Sequence, residues 1–156
     1  MVKGLEIIDG TVIENLRLGR RAIPLGEVRR ALDAVGLLEA LSALPDGLQT
    51  RLAAGGAPLS LGQARRLMIA RAIAGRPRLL VLDESLDGLD LDAGRRTRES
   101  LFDRSAPWTL LVVTHTQDVA AICDRAVALS GGKADRSAAM ANGRSPNLED
   151  LRKEGH

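Results

Sequence analysis

Two adjacent carboxylates, Asp83 and Glu84, follow the apolar run at 79–82 and are candidates for chemistry. The residues that follow a buried parallel strand lie at the C-terminal edge of the sheet, where ligands bind. Asp83 would there hold Mg²⁺ through water, and Glu84 would orient or deprotonate an attacking water. Acidic residues also end strands without any such role, so a solvated loop is the alternative for this pair alone.

The segment LSLGQ at 59–63 opens a predicted helix that is capped by Ser60 and runs to about Ala74. A helix N-terminus offers free backbone N–H groups and a positive dipole end, and both suit a phosphate. Ser60 adds a hydroxyl, and Gly62 lets a second backbone approach closely. The alternative is that Ser60 is only an N-cap and Gly62 only a flexible residue.

His115 directly follows a second predicted strand segment at 110–114, of which residues 110–113 are apolar. At the end of a strand, its imidazole would reach a phosphate or an attacking water. A single histidine is more often a structural hydrogen-bonding residue, and that remains the alternative when His115 is considered alone.

The first part of the chain predicts short helices, and the second part predicts strands that alternate with helices. Thr11 can cap a helix at 12–18, a second helix begins at Pro24 and ends before Gly36, and a third covers 37–44. We expect the helix after Ser60 to bury one set of residues (Ala64, Leu67, Met68, Ala72) and to turn another outward (Arg65, Arg66, Arg71). Strands are predicted at 78–82, 108–114 and 125–129, with helices at 91–103, 116–123 and about 146–152. Because these strands are apolar throughout, they favour an α/β fold with a parallel sheet covered on both faces.

Composition argues against a membrane helix and against nucleic acid. No apolar run approaches the roughly 18 to 20 residues that a membrane helix requires. The net charge of +2 is carried by arginines that have acidic neighbours, and one Phe, one Trp and no Tyr offer little surface for base stacking. The single Cys123 fits a reducing compartment.

The three motifs together, in this order and spacing, resemble the ATPase domain of ABC transporters. The segment 58–63, PLSLGQ, looks like the family signature, and 70–74 is similar to the later turns of its helix. By this resemblance Asp83 is the Walker B aspartate, Glu84 the catalytic glutamate, Asp90 the D-loop aspartate and His115 the switch histidine. Segments 9–16 and 44–48 resemble exporter-type domains.

The resemblance implies part of a P-loop NTPase fold, in which a helical subdomain precedes a mostly parallel sheet with flanking helices. The implied division is a helical signature subdomain at 1–76 and the second half of the ATPase core at 77–153. Residues 154–156 resemble the start of an expression tag. We therefore expect the chain to be a fragment or a truncated copy of such a domain.

The resemblance also implies a function. Two such domains face each other with ATP and Mg²⁺ between them, and the signature of one contacts the phosphate held by the other. Nucleotide contacts would come from Ser60, Gly62, Gln63 and Asp90. Asp83 would hold the Mg²⁺ shell, Glu84 would polarise water, and His115 would steady the γ-phosphate. The implied partners are a second ATPase domain and transmembrane segments of an exporter, on the cytoplasmic side of the cell membrane.

Three departures from the family pattern stand out. No G-x-x-x-x-G-K-[ST] P-loop occurs in the sequence, so the chain alone is expected to be inactive. Lys3 stands where the family has its Q-loop glutamine, and the loop at 53–56 lacks the charged residues expected before an exporter signature.

Two other functions remain open: a non-catalytic module for assembly or regulation, and the ATPase head of a chromosome-maintenance protein. The absent P-loop favours the first alternative, and the intact Asp83, Glu84 and His115 oppose it. Coiled-coil heptads beside the signature, which the second alternative requires, do not occur in the sequence. In the folds that this chain resembles, the strand that carries the P-loop lies between the strands at 108–114 and 125–129, so without it the strand at 108–114 would have an open edge. Either the strand at 125–129 shifts to pair there or a second copy does, and we expect the second, self-association.

Overall fold

The computed structural model describes residues 6–18, 20, 23–86, 89, 91–130 and 133–135. Their contacts divide the chain into two compact units, Met1–Val113 and Thr114–His156. The elements of the first unit, in chain order, are β1 (Gly10–Thr11), α1 (Val12–Arg17), α2 (Leu25–Ala34), α3 (Leu38–Ser42), a 3₁₀ turn (Gly47–Gln49), β2 (Arg51–Leu52), α4 (Leu61–Ile73), β3 (Leu79–Asp83), α5 (Leu91–Leu101) and β4 (Thr109–Val113). The second unit contains α6 (Gln117–Ala121), β5 (Ala128–Ser130) and β6 (Lys133–Asp135).

The helix α1 begins where the sequence predicts. The Thr11 hydroxyl accepts a hydrogen bond from the Glu14 backbone N–H at 3.2 Å, and the Glu14 carboxylate accepts one from the Thr11 N–H at 2.7 Å. This reciprocal capping box satisfies backbone groups that a helix end leaves without intrahelical partners. Leu18 ends the helix in a left-handed conformation with φ of 40°. Thr11 also belongs to β1, which pairs antiparallel with β2, a two-residue ladder that the sequence did not predict.

The core of the first unit forms around α4, which packs against α1 and α2. Leu16, Leu32, Leu67 and Ile69 are all buried there. Burial of such side chains contributes about 1.5–3 kcal/mol each, so this contact stabilises the packing of α1 and α2.

One prediction for α4 is wrong. Arg66 and Arg71, which were expected to face outward, are only 7% and 9% exposed, whereas Ala72 is partly exposed. The physical reason is that α4 is enclosed on most of its sides, and both guanidinium groups donate to backbone carbonyls of neighbouring segments. Burial lowers the pKa of the Arg71 guanidinium.

The strands β3 and β4 form the predicted parallel pair, with Leu80 opposite Leu110 and Leu82 opposite Val112. Leu80 and Leu82 are buried on the inner face of this pair. The expectation that both faces would be covered is wrong here. On the outer face Leu79, Leu111 and Val113 are 57%, 53% and 50% exposed, because no described element packs over them.

The second unit has a short helix and a hairpin. The predicted helix at 116–123 is observed as Gln117–Ala121, and β5 occupies the end of the third predicted strand. β5 pairs antiparallel with β6, a strand that was not predicted. The helix expected at about 146–152 lies outside the described residues. Within the part of the chain that the structure describes, no helix is long and apolar enough to cross a bilayer.

Candidate functional site

Ser60 and Gln63 form a capping box at the start of α4. The Ser60 hydroxyl accepts a hydrogen bond from the Gln63 backbone N–H at 3.2 Å, and the Gln63 side-chain oxygen accepts one from the Ser60 N–H at 2.9 Å. Ser60 has extended backbone dihedrals (φ −66°, ψ 161°), as an N-cap requires. The predicted helix start is therefore found at Ser60.

This geometry leaves donors available at the surface. A hydroxyl that accepts a hydrogen bond still carries a proton to donate, and the first backbone N–H groups of a helix have no intrahelical acceptor. Ser60 and Leu61 are exposed, and Gly62 is half-buried at the second helical position. The start of α4 can thus present a hydroxyl and backbone N–H groups to an anion, with the positive end of the helix dipole behind them.

Gly56, whose role no sequence motif indicates, packs the loop that precedes α4 onto that helix. Its φ of +102° is unfavourable for other residues, and a Cβ there would lie 2.8 Å from the Ile7 Cδ1 and 3.3 Å from the Ala64 Cβ. Any other residue would have a strained backbone here and would require Ile7 to move. The Gly55-Gly56 pair is visible in the sequence, but the contact with Ile7 is not.

The carboxylates lie where the strand pattern predicts. Asp83 is the last residue of β3 and is half-buried, whereas Glu84 is exposed. Glu84 has a φ of +49°, an uncommon conformation for a residue other than glycine, asparagine or aspartate. Its backbone N–H donates to the Val113 carbonyl at 2.9 Å, and the Ser85 hydroxyl donates to the Asp83 carbonyl at 3.0 Å. These bonds fix the turn that carries both acids.

His115 belongs to the second unit, where its side chain is exposed in the loop before α6. The flanking threonines hold this loop, since their hydroxyls lie 2.9 Å apart and the Thr116 N–H donates to the Thr114 hydroxyl at 3.1 Å. Asp90 and Lys3 lie outside the described residues.

The Asp83 carboxylate is of a type that can hold Mg²⁺. A carboxylate oxygen such as that of Asp83 is the type of ligand that Mg²⁺ prefers, and Mg²⁺ usually binds through one or two carboxylates, several waters and the phosphates of a substrate. Within the described residues no group of three or more His, Cys, Asp or Glu side chains is placed to hold a metal ion.

Comparisons with known proteins identify the family. The family model described as "ABC transporter" matches residues 9–87. The chain is 35% identical to the transport ATP-binding protein AarD of Providencia stuartii, over 80% of this chain and 21% of that protein. It is 34% identical to the ATP-dependent lipid A-core flippase of Chromobacterium violaceum, over 83% of this chain and 22% of that protein.

The fold also has a known counterpart. The solved structure of a bacterial Atm1-family ABC exporter with ATP bound matches with a TM-score of 0.77 and 25% identity, over 96% of this chain and 25% of that chain. The chain thus spans a quarter or less of the lengths of these proteins. The predicted fold class, α/β with part of a P-loop NTPase fold, is confirmed. Because the family model matches half of the sequence, the chain belongs to the ABC transporter family.

Proposed function

We propose that the chain provides the signature motif, the Walker B aspartate, the catalytic glutamate and the switch histidine of an ATP-hydrolysing export machine. The observation that carries the proposal is the exposed start of α4, where the Ser60 hydroxyl accepts from Gln63 and keeps its proton to donate. A phosphate oxygen is an acceptor with the charge that this helix end favours.

Each residue has a role in this proposal. Ser60 and Gly62 contact the γ-phosphate of an ATP whose other phosphate contacts come from a P-loop on another stretch of polypeptide. Gln63 holds Ser60 through the capping box, and Asp90 contributes from the D-loop. The proposed division of the chain remains a signature subdomain at 1–76 and an ATPase-core part at 77–153.

In this proposal Asp83 binds the metal, Glu84 acts on the attacking water, and His115 contacts the γ-phosphate. Asp83 holds the water shell of Mg²⁺, and the metal, when bound, neutralises charge on the phosphates. Glu84 orients the attacking water and accepts its proton. His115 donates a hydrogen bond to the γ-phosphate. The partners are then a second ATPase domain and the transmembrane domain of an exporter, and the site of action is the cytoplasmic side of the membrane.

The test uses the assembled ATPase, by which we mean this chain together with the polypeptide that supplies its P-loop. Mg-ATP is titrated by calorimetry into this chain, into the P-loop partner, and into both together. We expect tight binding only where the P-loop is present, and hydrolysis only in the mixture. Micromolar binding of Mg-ATP to this chain by itself would contradict the assignment of the phosphate contacts.

The same assay separates the main alternative, a non-catalytic module for assembly or regulation. Such a module would pair with its partner, but Ser60→Ala and Glu84→Gln would both leave the ATPase rate unchanged. Loss of turnover in both variants, with pairing of the Glu84→Gln variant retained, would exclude it.

A further inference from the structure

Arg66 joins the first turn of α4 to the end of α2. Its Nη1 atom donates to the Gly36 carbonyl at 3.0 Å and to the Val35 carbonyl at 3.3 Å. Its Nε atom lies 3.4 Å from the carbonyl oxygen of Gly62 in the signature segment. One guanidinium therefore contacts both the signature turn and the two residues that follow α2.

The environment makes this contact specific. Arg66 is 7% exposed, and a buried cation loses its hydration unless protein acceptors replace it. The planar guanidinium presents several N–H donors in a fixed geometry, so its bonds to separate carbonyls fix the relative positions of the segments that carry them. A lysine keeps the charge but has a compact ammonium that does not reproduce this geometry.

We propose that Arg66 is a positioning residue for the signature motif: it sets the backbone of Gly62, and through the first turn of α4 the Ser60 hydroxyl, against α2. The inference rests on the proposed function, because positioning of this turn matters for turnover only if the turn contacts nucleotide. Arg66 itself touches no reacting group in this proposal.

Arg71 provides a matched control on the same helix. It is 9% exposed, and its guanidinium donates to the Glu6 carbonyl at 2.7 Å, away from the signature turn. Arg66→Lys and Arg71→Lys thus make the same change at equally buried sites of α4. Both variants should lower the unfolding temperature, whereas only Arg66→Lys should affect the signature.

The experiment compares the two variants in the assembled ATPase, at a temperature at which both remain folded. Arg66→Lys loses charge-assisted hydrogen bonds. We therefore expect its kcat and its nucleotide-driven pairing to fall by about tenfold. The KM for ATP should stay unchanged, because the P-loop is intact. A similar loss of kcat in Arg71→Lys, or normal kcat and pairing in Arg66→Lys, would overturn the proposal.

A second pair of variants decides the question if Arg66→Lys does not fold. Gly36 (φ +65°) and Gly47 (φ +50°) both have a left-handed backbone that a side chain would strain, but only the Gly36 carbonyl accepts a hydrogen bond from Arg66, at 3.0 Å. Gly36→Ala should therefore reduce pairing and Gly47→Ala should not; equal effects would overturn the inference. The Gly62→Asp variant separates the two proposals. If it has no effect on pairing, the proposed function is wrong. If Gly62→Asp does reduce pairing and only the Arg66 and Gly36 variants lack an effect, the positioning role of Arg66 alone is wrong.

Discussion

The backbone N–H of Glu84 donates a hydrogen bond to the carbonyl oxygen of Val113 at 2.9 Å. This bond continues the parallel pairing of β3 and β4 by one residue beyond Asp83, the last residue of the ladder. It holds Glu84 in a left-handed conformation with φ of +49° and leaves its side chain exposed. Strained residues persist where the surrounding structure over-determines them, and they cluster at functional sites.

Glu84→Gln should nearly abolish ATP turnover in the assembled ATPase and leave ATP binding intact. The lost carboxylate acts on water in the transition state and not on the bound nucleotide, so we expect kcat to fall by about a hundredfold or more. Steady-state kinetics and equilibrium binding of Mg-ATP measure the two effects separately. Glu39→Gln, at an exposed position of α3, is the control and should behave as the wild type. Turnover of Glu84→Gln at the control rate would show that another group is the base.

Gly62→Asp should block ATP-driven pairing and spare ATP binding by the P-loop partner. A carboxylate at the second position of α4 adds like charge and bulk where the γ-phosphate is proposed to bind. Gly26 is the matched control, since it occupies the second position of α2 and has open space around its Cβ position. Analytical ultracentrifugation with Mg-ATP compares the variants, and equal pairing by Gly62→Asp and Gly26→Asp would refute a phosphate contact at α4.

The parts of the fold that were predictable depend on local sequence. Thr11 and Ser60 each stand three residues before a Glu or Gln, and both form the capping boxes that fix α1 and α4. Apolar runs gave β3 and β4, and with them the position of Asp83 and Glu84 at a strand end. Local sequence signals therefore placed two of the three candidate motifs correctly: the segment 59–63 at the start of α4, and the two acids at the end of β3.

The errors came from contacts that are distant in sequence. Arg66 and Arg71 have the pattern of surface residues, but both are buried against segments that are distant in sequence, where the carbonyls of Gly36 and Glu6, 30 and 65 residues away, accept hydrogen bonds from them. The two-residue strands β1 and β2 are too short for any periodicity to show. The exposed outer face of β4 depends on what packs against it, which an apolar run does not reveal.

The capping box of α1 predicts a dependence of stability on pH. Hydrogen bonds from the Thr11 backbone and side chain hold the pKa of the Glu14 carboxyl below its ordinary value of 4.5. A lowered pKa stabilises the folded state above pH 4.5, and this contribution is lost as the pH falls through the folded-state pKa. Urea unfolding from pH 7 to pH 3 should show a smaller loss in Glu14→Gln than in the wild type. An equal loss in both proteins would contradict the role of Glu14.

Removal of the cap itself should act at every pH. Thr11→Ala deletes the hydroxyl that accepts from the Glu14 N–H, and loss of an N-cap costs about 1 kcal/mol. Ser42→Ala, at an exposed position on α3 without a capping role, is the control. Unfolding midpoints that agree within error for the two variants would show that the cap does not support α1.

The chain by itself should associate through the outer face of the β3–β4 pair. In the described residues β4 pairs with β3 alone, and Leu79, Leu111 and Val113 are each half or more exposed on the outer face. An open strand edge beside apolar side chains favours association with other chains. Leu111→Lys places a charge in this face and should shift the population toward monomer. Leu25→Lys, at an exposed leucine of α2, should leave association unchanged. Light scattering over a range of concentrations measures the association. A wild-type chain that is monomeric at every concentration would contradict association through this face. Equal association of the two variants would also contradict it.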